Sequence, residues 1–325
     1  MAGQNNSLSR SYGFIGLGVM GWGMAKNLRA RIPKSSTLYV CEVVAERRDQ
    51  WVAETPGDIQ VATSPREISE KSDIIITMLP RGEHVREVFT NPITGLLSLD
   101  SSEKKEDKIF IDCSTIDVEA SRYIGEAVQQ SGLGVFADAP VSGGVGGANA
   151  GTLTFMVGSS PGIFEQVKSV IVSMGKAESI FHCGGAGAGL ATKLINNYLS
   201  AINMIGVCEG MNMGRLYGLD PAVLAGVINA STGMSRNSRE QNPVKGISAT
   251  ASSANDFKGG FTTELCRGVL GMSIELSKQL NAKSVFAPAV QELFNQAVMS
   301  EKCKGQDFRS IYRLFVDSDR SDLTK

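Results

Sequence analysis

Short, unbroken apolar runs recur along the first half of the chain, each closed by glycine or polar residues. They are Tyr12-Gly13-Phe14-Ile15-Gly16, Thr37 to Glu42, Asp73 to Pro80, Lys108 to Thr115, Gly134 to Ala137 and Thr152 to Val157. Runs that do not alternate with polar residues predict strands buried on both faces, as in a parallel sheet covered by helices. Met24 to Arg31 and Pro161 to Met174 have helical composition and lie between such strands. After Gly187 the period changes. Leu190, Leu194, Ile195, Leu199, Ile202 and Ile205 recur at helical spacing, and no proline follows until Pro221, which predicts one long helix. The rest reads as helical throughout, with Asp220 placed to cap a helix that has Pro221 in its first turn. Asn237 to Gly260 is too long for a plain connection and is expected to fold over a site mouth.

The first strand runs into Gly16-Leu17-Gly18-Val19-Met20-Gly21 and then a helix. In such a turn the first glycine permits the bend, the second lets a pyrophosphate approach, and the third lets helix and strand pack closely. The helix N-terminus holds the anion. Glu42 ends the next strand 21 residues after Gly21, where a carboxylate accepts from the adenosine ribose hydroxyls and repels a 2′-phosphate. This favours NAD over NADP, although Arg47 and Arg48 stand close enough to receive that phosphate. The fold expected is α/β: a Rossmann-type doubly wound sheet over 12–184, joined by the long helix to an all-α domain over 185–315, with a mobile tail at 316–325.

Composition narrows the partners. A chain of 325 residues and 34.6 kDa can build two cores. Lysine and arginine number 32 against 33 acids, so no basic field attracts nucleic acid or an anionic membrane, and a small-molecule partner is expected. Six cysteines are scattered without a Cys-x-x-Cys pair and there are only two histidines, which argues for free thiols and against a metal cluster. No apolar run has the length to span a bilayer, and we expect a soluble protein. Residues 1–11 are polar and unlike a secretory signal, while a mitochondrial presequence would be very short. The polar loop Ser98 to Lys108 offers no chemistry.

Three further stretches carry candidate chemistry. Leu79-Pro80 and Ser114-Thr115 fall at the C-terminal ends of strands, the edge where open α/β sheets bind ligands. Ser142 opens a run of glycine and alanine from Gly143 to Gly151, broken by Val145 and Asn149, whose backbone N–H groups could cradle a carboxylate; a flexible loop is the plainer reading. Lys193 and Asn197 are four apart on the long helix and share a face. Taken alone they read as ordinary helix residues. Gly206, Gly210 and Gly214 recur every four residues and suggest close helix packing, within the chain or across a dimer.

These motifs together resemble the β-hydroxyacid dehydrogenase family. The cofactor signature is Gly13 to Gly21, the substrate signature Asp138 to Ala148 with Gly151-Thr152-Leu153, and the catalytic signature Gly187 to Asn197, with similarity extending from about Tyr12 to Phe315. The resemblance implies hydride transfer between NAD and a 3-hydroxy acid, in the best-matching branch 3-hydroxyisobutyrate in valine breakdown. It implies Lys193 and Asn197 as catalytic, Ser142, Gly143 and Gly144 as substrate-binding, and Gly16, Gly18, Val19, Met20, Gly21, Glu42, Leu79, Pro80, His84 and Thr115 as cofactor-binding. His84 stands where an asparagine is usual. A homodimer or homotetramer is implied, in the mitochondrial matrix or else the cytoplasm. One departure is marked: Gly268 and Val269 replace a Lys-Asp pair whose lysine reaches the cofactor. We expect the surroundings to have repacked, with Arg267 or Lys258 supplying the cation. The alternative is a catalytically weakened relative that acts as a cofactor-binding or assembly protein, or a dehydrogenase for a related 3-hydroxy acid.

Overall fold

A computed structural model describes residues 10–99 and 107–316. The polar N-terminal stretch up to residue 9, residues 100–106 of the charged loop and the tail after Val316 lie outside the described residues. The chain divides into two compact units, Met1–Lys193 and Leu194–Lys325.

The first unit is built on nine strands: β1 (Tyr12–Ile15), β2 (Leu38–Cys41), β3 (Ile59–Val61), β4 (Ile74–Thr77), β5 (Lys108–Asp112), β6 (Gly134–Asp138), β7 (Val141–Ser142), β8 (Leu153–Gly158) and β9 (Gly175–Gly184). Its helices are α1 (Gly21–Arg31), α2 (Ala45–Glu54), α3 (Pro65–Lys71), α4 (Gly82–Thr90), α5 (Val118–Ser131), α6 (Gly144–Ala150) and α7 (Pro161–Ile171). Strand order is β3-β2-β1-β4-β5-β6-β8-β7, with β9 beside β8. From β3 to β6 every pairing is parallel, whereas β8 runs antiparallel to β6 and β7. The order reverses between β1 and β4, so the chain leaves the sheet in opposite directions there and opens a crevice at the strand ends. All residues of β4 and β5 are buried, as their unbroken apolar sequences require. Phe14, Leu17, Met24, Leu28, Trp51, Ile111 and Phe155 form the core, each wholly inaccessible. Trp51 also donates from Nε1 to the Trp22 carbonyl at 3.0 Å, which ties α2 to α1.

The long helix α8 runs from Ala188 to Tyr217, thirty residues, as its apolar period predicts. In the second unit it is followed by α9 (Pro221–Ala230), α10 (Arg236–Glu240), α11 (Thr263–Gln279), α12 (Ala287–Met299) and α13 (Tyr312–Val316). Asp220 caps α9 by accepting from the Ala222 and Val223 N–H groups at 2.8 and 2.9 Å. Met204, Cys208, Leu270, Phe294 and Ile311 centre this unit's core. The Asn237 to Gly260 segment, too long for a plain connection, has secondary structure of its own. It holds α10 and a 3₁₀ turn at Ser252–Asn255, and buried Asp307 secures it by accepting from Ser252 Oγ at 3.1 Å and from the Phe261 N–H at 3.2 Å.

The glycines of α8 divide. A Cβ on Gly214 would lie 2.2 Å from Leu224 Cδ2, so that glycine admits α9. At Gly206 and Gly210 a Cβ would meet nothing within 4 Å, and packing inside the chain accounts for neither. Among the described residues all six cysteines are free, no group of metal-ligating side chains gathers, and no helix is long and apolar enough to cross a membrane.

Candidate active site

At the crevice between β1 and β4 the three glycines of the first turn differ in physical role. Gly16 has φ +96°, and a Cβ there would fall 2.4 Å from the Met78 carbonyl oxygen. Gly21 is closed by the Gly16 carbonyl oxygen, 1.9 Å from where its Cβ would sit. Around Gly18 there is open space. The turn is therefore tight at both ends and vacant only in the middle, where a phosphate needs backbone access. No side chain caps α1, and of its first amides that of Trp22 is taken by the Gly18 carbonyl at 2.9 Å. Val19 is exposed and Met20 half-buried beside them.

Glu42 closes this turn from the end of β2. Its Oε2 accepts from the Leu17 N–H at 2.7 Å and its Oε1 from the Val44 N–H at 2.9 Å, with Arg47 Nη1 at 3.5 Å. A carboxylate has about four acceptor sites, so two remain for ribose hydroxyls. Arg48 is turned to Asp49, its Nε 2.8 Å from Oδ1.

A second network fixes the strand ends across the crevice. Buried Asp112, the last residue of β5, accepts at Oδ1 from Thr77 Oγ1 at 2.7 Å and Ser114 Oγ at 2.6 Å. Ser114 Oγ in turn accepts from the Leu79 N–H at 2.9 Å. Leu79 is thereby tied to the end of β5 through Ser114, which the sequence singled out, and through Asp112 and Thr77, which it did not. The readable signal was a carboxylate ending an otherwise apolar strand. His84 is exposed in the first turn of α4.

Ser142 ends β7, and Gly143 and Gly144, with φ +140° and +63°, lead into α6. The glycine run expected as a loop or nest is thus helical from Gly144 to Ala150. Small residues serve its packing on α1: a Cβ on Gly23 would sit 2.8 Å from Ala148 C and from Asn149 N. Gly143 and Gly144 remain exposed, with open space at the Gly144 Cβ position.

Lys193 lies in the second turn of α8 and is 8 % exposed. Among the described residues no carboxylate stands within ion-pair distance of it, and burial alone lowers its ammonium from 10.5 to about 8. Asn197 is half-buried one turn further along the same helix. On α11, Gly268 is exposed and a Cβ there would meet nothing within 4 Å, while Val269 is buried. Beside it Arg267 donates from Nε to Asn295 Oδ1 at 2.7 Å. Around the Gly268 Cβ position there is open space.

The chain is similar to known proteins over nearly its whole length. The family model described as the NAD binding domain of 6-phosphogluconate dehydrogenase matches residues 11–185. The model described as NAD-binding of NADP-dependent 3-hydroxyisobutyrate dehydrogenase matches 187–315. Mitochondrial 3-hydroxyisobutyrate dehydrogenase of Rattus norvegicus is 37 % identical over 301 residues, covering 93 % of this chain and 85 % of the relative. The Homo sapiens enzyme is 36 % identical over 307 residues, covering 94 % and 87 %. Among solved structures, Mycobacterium tuberculosis 3-hydroxyisobutyrate dehydrogenase with L-serine superposes with a TM-score of 0.83 at 29 % identity, covering 95 % of this chain and all of that one. A glycine turn vacant only at its middle residue, the strand order around it and this likeness over nearly the whole chain lead to one conclusion: the chain belongs to the 3-hydroxyisobutyrate dehydrogenase family of NAD-dependent enzymes.

Proposed function

We propose that the protein oxidises the primary alcohol of 3-hydroxyisobutyrate to the semialdehyde with NAD, as a step of valine breakdown, with Lys193 as its acid-base group. The observation that carries this reading is a buried lysine, free of any described counter-ion and lowered to about 8, in the second turn of α8. The cofactor supplies the hydride acceptor. It would be held by Gly16, Gly18, Val19, Met20 and Gly21 at the pyrophosphate, Glu42 at the ribose, and Leu79, Pro80, His84 and Thr115 along the crevice. Ser142, Gly143 and Gly144 bind the substrate carboxylate and so orient its hydroxyl. Neutral Lys193 accepts the hydroxyl proton as negative charge develops on that oxygen, and returns it in the reverse direction. Asn197, one turn on, holds the same substrate through its amide.

Residues 12–184 form the cofactor domain in this reading and 185–315 the substrate and dimerisation domain. The exposed apolar side chains of α8 and α9, with Met213 66 %, Tyr217 84 % and Val223 66 % accessible, support a homo-oligomer. The mitochondrial naming of the relatives supports a matrix enzyme. NADH formation measured across a panel of 3-hydroxy acids that includes L-serine tests the substrate. We expect the highest kcat/KM with 3-hydroxyisobutyrate. Lys193→Ala should abolish turnover while NAD binding stays within about twofold, and an active variant would overturn the assignment.

A further inference from the structure

Asp138, the last residue of β6, is completely buried. Its Oδ1 accepts from the Gly187 N–H at 2.7 Å and its Oδ2 from the Leu190 N–H at 2.8 Å. The first N–H groups of a helix have no partner inside it, and a capping side chain normally comes from the residue just before. Here the acceptor comes from a strand 49 and 52 residues earlier in the chain. The fit is close. A Cβ on Gly189 would fall 2.2 Å from the Met156 carbonyl oxygen and 2.7 Å from Asp138 Oδ2, and one on Gly158 would fall 2.3 Å from Asp138 Oδ1. Gly187 takes φ +83° to present its amide.

We propose that Asp138 is a positioning residue for the reaction, clamping the first turn of α8 to the end of β6 so that Lys193, three residues after Leu190, is held at a fixed rotation and height against Ser142 to Gly144. That substrate segment begins four residues after Asp138, at the end of β7, so one carboxylate sets the register of both motifs. Burial outweighs its hydrogen bonds and pushes the carboxyl up to about 6, so its charge offsets part of what capping the two amides contributes to the fold. The groups around it are few. Asp112 faces it from β5, β8 brings only Gly158, the first turn of α8 has no titratable side chain before Lys193, and Arg122 of α5 lies against Gly187.

The inference rests on the dehydrogenase reading, and its test separates the two. Turnover of 3-hydroxyisobutyrate by the unmodified protein, and none by Lys193→Ala, is established first; absence of that turnover would refute the reading and this proposal with it. Asp138→Asn then keeps the shape but turns an N–H donor toward a backbone N–H. We expect kcat to fall about tenfold to a hundredfold while KM for NAD stays within about twofold. Unchanged kcat, or parallel loss of NAD binding, would overturn the proposal. The pH profile of semialdehyde reduction gives a second readout that needs no variant. Protonating Asp138 removes one acceptor, so kcat of the unmodified protein should fall below about pH 6, and this acid limb should be absent from Asp138→Asn. A flat profile between pH 7 and 5 in the unmodified protein would overturn the proposal even if the variant does not fold.

Discussion

The side chain of Lys193 has a pH consequence whose sign is fixed by its direction of shift. Burial favours the neutral amine, and oxidation needs that form, so kcat for alcohol oxidation should rise with pH through about 8 and then level. Reduction needs the ammonium and should decline over the same range. A stopped-flow or steady-state profile in both directions checks the crossing. Glu42 makes a second residue-scale prediction. Because its carboxylate holds the Leu17 amide and pairs with Arg47, Glu42→Ala should weaken NAD binding and also release Arg47 toward a 2′-phosphate. The ratio of kcat/KM for NAD over NADP should fall by about tenfold or more; an unchanged ratio would show that Glu42 does not govern the choice. Gly268 supplies the third. Open space and a helix-interior position mean that Gly268→Lys should raise stability by about 0.5–1 kcal/mol, seen in the denaturant midpoint, and lower KM for NAD. Val269→Asp should destabilise by several kcal/mol instead, since it buries a carboxylate among apolar neighbours.

At the level of elements, the glycine turn separates folding from binding. Gly21→Ala forces a Cβ against the Gly16 carbonyl and should lower the melting temperature sharply, whereas Gly18→Ala enters open space and should leave it within about 2 °C while KM for NAD rises at least tenfold. Differential scanning fluorimetry beside steady-state kinetics tells the two apart. The bend at Gly16 and the close contact at Gly21 were legible in the sequence, because the glycines stand between a strand and a helix at that spacing. The length of α8 was legible for a similar reason, its apolar period being uninterrupted to Pro221. The Gly144 to Ala150 helix was not. Its composition favours a loop, and only packing against α1 makes such a glycine-rich segment helical. Nor could spacing reveal Asp112 and Asp138, whose partners are amides and hydroxyls brought to them by the sheet.

For the whole molecule, the homo-oligomer proposed from the exposed apolar face of α8 makes its own prediction. Gly210→Arg, placed in open space on α8, should leave the chain folded but reduce the oligomer's mass in light scattering, and an unchanged mass would remove that face from consideration. The division of the chain at Lys193 also bears on how it can be cut. A truncation at residue 184 looks natural, since β9 ends there. Yet both amides that satisfy Asp138 come from Gly187 and Leu190. A fragment stopped at 184 uncovers that carboxylate and strands the glycines shaped around it, so it should express poorly or aggregate. One extended through Lys193 keeps the contact and should retain NAD in a binding assay.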